Sequence, residues 1–199
     1  MAYEDVLQRT IQFEARCPLC FIMEDREFEI ISHLQYTVTQ DDEVRRSIAH
    51  EGGFCDFHFR QFRKIANSET NALLLITMVN EYVRQRSATS TTCRICADIA
   101  RLEKGLLDDL ARLLHLVTFR QLFAESGGVC LGHLSSLQER CKPDALAMWL
   151  GETQIRQMER LMPDLVAMRT LSYFDATHSQ RSCIVRVVEK YVGRKALGL

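Results

Sequence analysis

Glycine and proline are scarce in this chain, which has nine glycines and three prolines among its 199 residues. Average usage is about 7% glycine and about 5% proline, so the two together reach roughly half of the expected number. Loop-rich β-sandwiches and disulfide scaffolds need many turn residues, and no segment alternates apolar and polar residues as a half-buried strand does. The scarcity therefore predicts an all-α protein with long helices and few connections.

Long apolar runs and an excess of charge are also missing. The longest apolar stretch, residues 72–79, is too short to cross a bilayer. The first residues are acidic where a signal peptide needs a basic start, so we expect a cytoplasmic protein. A net charge of −1 gives no general attraction to phosphate groups, so we expect neither nucleic acid nor a membrane as partner. The sequence leaves open a protein partner and the oligomeric state.

Cysteine, in contrast, is abundant, and its eight residues are arranged in a repeat. A CxxC motif occurs twice, 76 positions apart, and a GGxCxxH motif occurs twice, 75 positions apart. The repeat predicts two halves that pack as one unit, with residues 1–88 as the first repeat and residues 89–199 as the second repeat plus a C-terminal helix. The polar stretch 87–92 lies at the junction. Six cysteines and two histidines fall inside the repeat: Cys17, Cys20, Cys55, His58, Cys93, Cys96, Cys130 and His133.

These eight residues have the spacing of metal ligands. Positions i and i+3 share one face of a helix, so each motif can hold one ion with two side chains if it lies at a helix start. Helix N-termini favour thiolates, the form of cysteine that binds metals, and the Gly-Gly pairs permit a sharp turn into the helix. The sequence therefore predicts two Cys3His metal sites.

Two questions about these sites stay open at the level of sequence. Closed Cys3His sites are common for zinc, which favours two zinc ions, but the same ligands can hold an iron–sulfur cluster. Loop closure costs less over shorter separations, which favours pairing of the motifs within each half. Pairing across the halves, with Cys17 and Cys20 joined to Cys130 and His133, is the alternative.

The motifs resemble a bacterial family of unknown function. The resemblance rests on CPxC, DDEVRR, GGFCxxH and a C-terminal VVEKYVG helix, and it extends from about Tyr3 to about Gly193. It implies that the same eight residues are the metal ligands of the family. The second CxxC departs from the pattern because Arg94 stands in place of the proline.

The remaining residues give weaker signals. Cys141 and Cys183 have no repeat partners, and we expect inert, buried thiols. The other four histidines are expected at the surface. A methionine-rich stripe, residues 148–162, lies on a predicted long helix that Pro163 interrupts, and we expect this stripe to face the protein core. The basic residues of the C-terminal helix are expected on its solvated face, with Lys190 among them, opposite Ile184, Val188 and Tyr191.

A closed four-ligand zinc site stabilises a fold and offers no position for a substrate. The sequence thus favours a non-enzymatic binding or adaptor module. The alternatives are an iron–sulfur redox or cluster-carrier protein and a metal-dependent enzyme. For the enzyme, Glu51 is the nearest candidate base, although its repeat counterpart is Ser126.

Overall fold

A computed structural model describes residues 3–13, 16–85, 93–172 and 174–193. Within these ranges the chain forms eleven α-helices and no strand, which confirms the all-α prediction. No helix in this part of the chain has the length and hydropathy to span a membrane. The helices are α1 Glu4–Phe13, α2 Pro18–Gln40, α3 Asp42–His50, α4 Asp56–Ile65, α5 Ser68–Gln85, α6 Arg94–Leu113, α7 Val117–Glu125, α8 Leu131–Arg140, α9 Asp144–Glu159, α10 Met162–Ala167 and α11 His178–Val192.

The helices group into two compact units that differ from the sequential halves. Unit 1 comprises Met1–Glu24 and Glu103–Leu199, and unit 2 comprises Asp25–Leu102. Both boundaries fall inside helices, α2 and α6, so each unit contains the start of one of these helices and the remainder of the other. The predicted junction at residues 87–92 lies outside the described residues, and the division into 1–88 and 89–199 stays a prediction about the repeat.

Each unit has an apolar core. In unit 1, α7 packs against α1 and α9, and α8 packs against α9 and α11. Its fully buried side chains include Leu7, Leu106, Leu110, Phe123 and Leu137. In unit 2, α3 packs against α5, and the buried side chains include Ile31, Ile48, Phe62, Leu74 and Ile95.

Several helix boundaries follow the local sequence signals. The Asp41 side chain accepts hydrogen bonds from the backbone N–H groups of Glu43 and Val44 and so caps α3. Helix α9 begins directly after Pro143, and a break at residues 160–161 separates it from α10, where Pro163 occupies the first turn. Helix α5 is capped by Asn67, whose side chain accepts from the N–H of Thr70 at 2.8 Å.

Two helices face the opposite way from the sequence prediction. On α9 the side chains of Met148 and Ile155 are exposed, as is Met162 on α10, so the expectation that this stripe faces the core is wrong. On α11 Lys190 is buried, and Ile184, Val188 and Tyr191 are exposed, so the predicted solvated basic face is wrong for Lys190. Gln154 on α9 and Lys190 on α11 are buried next to apolar side chains because they hydrogen-bond to the loop that presents a metal-ligand motif. Arg194 and Lys195, also assigned to the basic face, lie outside the described residues.

Candidate metal centres

Each of the four motifs begins a helix in the same way. Cys55 and Cys130 are the N-cap residues of α4 and α8, and α2 and α6 begin directly after Cys17 and Cys93. In every case the carbonyl of the first cysteine accepts the N–H four residues later, at 2.8–3.0 Å. The second ligand residue of each motif therefore lies one turn into the helix, which confirms the predicted placement of the motifs at helix starts.

The structure brings the eight residues together as two groups of four, and it pairs the motifs across the halves. Site 1, in unit 1, consists of Cys17, Cys20, Cys130 and His133. Site 2, in unit 2, consists of Cys55, His58, Cys93 and Cys96. The expected pairing within each half is therefore wrong, and the alternative across the halves is correct. The eight cysteines, all within the described ranges, form no disulfide.

The spacing of the ligand atoms fits one tetrahedral ion in each site. The four donor atoms of a site all lie within 4.8 Å of one another. Bond lengths of about 2.3 Å for Zn–S and about 2.0–2.1 Å for Zn–N give tetrahedron edges of about 3.8 Å between sulfurs and about 3.6 Å between sulfur and nitrogen. The sulfur–sulfur separations are 3.8 Å for Cys20–Cys130 and 3.6 Å for Cys55–Cys96. The histidine Nδ1 atoms lie 3.1–3.5 Å from the sulfurs.

A loop held from α9 and α11 presents the second motif of site 1. Gly128 has φ +72°, and a Cβ there would lie 2.1 Å from Gln157 Oε1 and 2.7 Å from Gln154 Oε1. Gln154 accepts from the N–H of Val129 and donates to its carbonyl, at 3.2 and 2.8 Å. The ammonium of Lys190 donates to the carbonyl of Gly127. These buried polar side chains fix the residues directly before Cys130.

The corresponding loop of site 2 is held differently. Gly53, the repeat counterpart of Gly128, has φ +84°, and a Cβ there would contact Met78. Next to Cys93, Arg94 Nε donates to Glu51 Oε2 at 2.8 Å and Arg94 Nη2 donates to Ser47 at 2.8 Å. The arginine that departs from the CPxC pattern therefore ties the start of α6 to the end of α3. Glu51, the candidate base, is its ion-pair partner.

The two sites differ in exposure. All four ligands of site 1 are buried, and a Cβ on Gly193, which ends α11, would lie 3.2 Å from Cys130 Sγ. The end of α11 therefore covers site 1. Cys55 and Cys96 of site 2 are partly exposed.

The thiols and the imidazole of site 1 shift one another's pKa values. Hydrogen bonds from Cys17 and Cys20 hold the pKa of Cys130 far below its usual range, and the bond with Cys130 raises the pKa of Cys20. Burial opposes the charged form of His133, but the hydrogen bonds with Cys130 and Cys17 outweigh it and raise the pKa to about 10. Site 1 therefore stabilises a thiolate next to an imidazolium.

Site 2 has the same character around a different cysteine. Burial opposes ionisation of Cys93, but hydrogen bonds from His58 and from the backbone N–H groups of Cys55 and Cys96 lower its pKa to about 6. Burial and the hydrogen bond with Cys55 raise the pKa of Cys96 to about 12. The N-cap thiol is thus already in the form that binds a metal, as the helix-start argument predicts.

Two glutamates belong to these sites, and the sequence interpretation missed them. Glu27 Oε1 lies 2.7 Å from His58 Nε2, and Glu103 Oε1 lies 3.1 Å from His133 Nε2. In both sites Nδ1 faces the sulfurs and Nε2 faces the carboxylate. Glu27 and Glu103 are themselves 76 positions apart, the same offset as the CxxC motifs, and that offset is the signal that identifies them.

The cysteines and histidines outside the repeat match the expectations for them. Cys141 and Cys183 are completely buried, and burial raises the pKa of Cys141. The other four histidines are exposed: His33, His50, His115 and His178. Neither group adds a ligand to a site.

A family model matches the first part of the chain. Residues 5–88 match a family described as a Family of unknown function (DUF6062). The predicted resemblance to an uncharacterised family is confirmed for residues 5–88, a range that ends where the first repeat is predicted to end, and its extension to about Gly193 stays a prediction. No curated protein and no solved structure matches the chain.

Proposed function

We propose that this protein is a helical binding or adaptor module stabilised by two structural zinc ions, one in each site. The observation that carries the proposal is the convergence of three thiols and one imidazole nitrogen within 4.8 Å, twice in one chain. Cys3His is an established donor set for structural zinc. Two pairs of helix starts are fastened in this way, Cys17 with Cys130 and Cys55 with Cys93.

The distances support a single ion in each site over an iron–sulfur cluster. A cluster places several iron and sulfide atoms between its protein ligands, so those ligands lie farther apart than ligands of one ion. All four donor atoms of each site lie within 4.8 Å of one another, which leaves room for one ion. Zinc takes this tetrahedral geometry without strain, since it has no geometric preference of its own.

A stabilising role is supported over a catalytic one. Four protein ligands fill a tetrahedral ion, whereas catalytic zinc has three protein ligands and an open position. The cavity beside Cys17 and Cys20 has a volume of about 10 Å³, which is room for a single water molecule. Near site 2, Glu51 is bound by Arg94, and that bond lowers the pKa of its carboxyl group, so it is a poor general base.

Apolar helix faces in contact with solvent support the binding part of the proposal. On α5 five apolar side chains at helical spacing are each at least 44% exposed: Leu75, Ile76, Val79, Tyr82 and Val83. Apolar faces of this kind are typical of surfaces that bind other proteins. The non-enzymatic role would be contradicted if the zinc-loaded protein turned over a substrate and a substitution outside the ligands abolished that turnover.

Elemental analysis of anaerobically purified protein tests the metal. We expect a colourless protein with two zinc ions per chain. A brown protein that contains iron and acid-labile sulfide would overturn the zinc assignment and support the redox alternative. Protein that binds no metal after incubation with zinc would overturn the proposal as a whole.

Pairs of substitutions test which motifs share an ion. At micromolar zinc, Cys20→Ser combined with Cys130→Ser removes two ligands of one site, so we expect one bound ion. Cys20→Ser combined with Cys55→Ser damages both sites, so we expect none. The opposite result, with one ion lost in the second variant and two in the first, would show that the motifs pair within the halves.

A further inference from the structure

The two glutamates that contact the histidines are exchanged between the sites. Helix α2 carries Cys20, a ligand of site 1, and seven residues later Glu27, which contacts His58 of site 2. Helix α6 carries Cys96, a ligand of site 2, and seven residues later Glu103, which contacts His133 of site 1. Each helix therefore contributes thiolates to one site and a carboxylate to the other.

A carboxylate at this position controls how a histidine binds a metal. Metal-binding histidines commonly donate their second ring N–H to a carboxylate, which fixes the tautomer and the ring orientation and makes the ligand nitrogen more basic. Both histidines have this geometry, with Nδ1 towards the thiols and Nε2 towards the glutamate. Glu27 is only 7% exposed, so its carboxylate is held next to His58 with little competition from water.

We infer that Glu27 and Glu103 are positioning residues for the two zinc ligands His58 and His133, and that their exchange between α2 and α6 makes the two sites fill cooperatively. This inference rests on the proposed binding of zinc at both sites. It deepens that proposal, because it makes the occupancy of one site regulate the affinity of the other.

Helix nucleation provides the physical link. The first turn of a helix is the costly part to form, and later residues add to it easily. An ion in site 1 clamps the N-cap and the third helical residue of α2, Cys17 and Cys20, and so supplies a fixed first turn. Glu27 is the tenth residue of the same helix, so it is placed for His58 when that turn is held. An ion in site 2 acts on Glu103 in the same way through α6.

The unaltered protein gives the first test. We expect native mass spectrometry of metal-free protein mixed with one equivalent of zinc to show mainly chains with no ion and with two ions. For two equal and independent sites about half of the chains would carry one ion. A one-ion population at or above half would overturn the cooperative filling while leaving the zinc proposal intact, since two ions still bind at excess zinc.

Substitutions separate the role of the carboxylate from that of the helix. Loss of such a carboxylate typically costs about 10–100-fold in metal affinity. We expect Glu27→Gln to weaken metal binding at site 2 by about that factor. Competition with a chelator measures the affinity, and cadmium-113 NMR distinguishes the two sites. We expect a smaller effect of Glu103→Gln on site 1, because the Glu103 side chain is 41% exposed and water can replace it. Glu29→Gln on the exposed side of α2 is the control, with no change expected at either site.

A double-substitution cycle tests the coupling. Cys20→Ser disables site 1, and we expect it to weaken site 2 by at least about fivefold, the lower end of typical coupling between sites. In a Glu27→Gln background the same Cys20→Ser change has little further effect on site 2 if the link runs through Glu27. An equal loss in both backgrounds, or no loss in either, would overturn the inference. If Cys20→Ser fails to fold, the one-ion population of the unaltered protein decides the question.

Discussion

The loop before Cys130 provides a stability test in which two neighbouring glycines have opposite predictions. Gly128 has φ +72°, and an alanine side chain there would meet Gln157 Oε1 at 2.1 Å and Gln154 Oε1 at 2.7 Å. Gly132, also in the second GGxCxxH motif, lies in the first turn of α8, and a Cβ there meets no atom within 4 Å. Gly132→Ala is therefore a matched control for Gly128→Ala.

The magnitude follows from two terms. A left-handed backbone costs a residue with a Cβ about 1–2 kcal/mol. The methyl group also displaces Gln154 and Gln157, which hydrogen-bond to Val129 and Phe123. Each hydrogen bond contributes about 0.5–1.5 kcal/mol, so the loss of two adds about 1–3 kcal/mol. We expect Gly128→Ala to lower the free energy of unfolding by about 2–5 kcal/mol.

The assay is thermal unfolding of the zinc-loaded protein followed by circular dichroism. For a chain of this size 1 kcal/mol shifts Tm by about 2–4 °C, so Gly128→Ala lowers the Tm of the transition that contains unit 1 by at least about 4 °C. Gly132→Ala leaves it unchanged or raises it slightly, because alanine is a better helix former by up to about 1 kcal/mol. Equal Tm values for the two variants would refute the proposed role of Gly128 in presenting Cys130.

Three further predictions concern the metal and the residues around it. Removal of zinc by a chelator lowers the helix content and Tm, because structural metal binding is coupled to folding; unchanged circular dichroism after complete removal would contradict a structural role. Zinc release rises as the pH falls, because protons compete with zinc for the ligands, which include three thiols in each site. A chromophoric chelator measures the released zinc, and zinc retention that does not depend on pH between 8 and 5 would count against thiolate ligation. Lys190→Met removes the buried bond to the Gly127 carbonyl and lowers the free energy of unfolding by about 1–3 kcal/mol, whereas the exposed Lys142→Met has little effect in urea unfolding.

The positions of the ligand motifs could be predicted from the sequence because they depend on local rules. Spacing of three residues, a preceding Gly-Gly pair and the preference of thiolates for helix starts all act within a few residues of Cys55 or Cys130. The apolar, core-facing side of α6 can be predicted equally well, because Ile95, Leu106 and Leu110 follow helical periodicity and are fully buried. Local patterns therefore define the helices and the ligand pairs.

The orientation of α9 and α11 depends on distant partners that no periodicity reveals. Gln154 and Lys190 are buried because they satisfy backbone groups of the 127–129 loop, 25 and 63 residues away in sequence. A buried polar side chain is stable only with such partners, and a hydrophobicity pattern does not show them. The exposed face that includes Ile155 is the consequence, because the helix cannot turn both faces inward.

The pairing of the motifs across the halves shows how small the loop-closure term is. Cys20 and Cys130 are 110 residues apart, whereas Cys20 and Cys55 are 35 apart. The cost of closure grows with the logarithm of the separation, so the longer loop costs only about 1 kcal/mol more. Binding of a structural zinc ion contributes about 10–16 kcal/mol whichever motifs supply the ligands. The choice is therefore made by packing: α8 joins the start of α2 in unit 1, and α4 joins the start of α6 in unit 2. In this arrangement the Glu103 and Glu27 carboxylates contact His133 and His58.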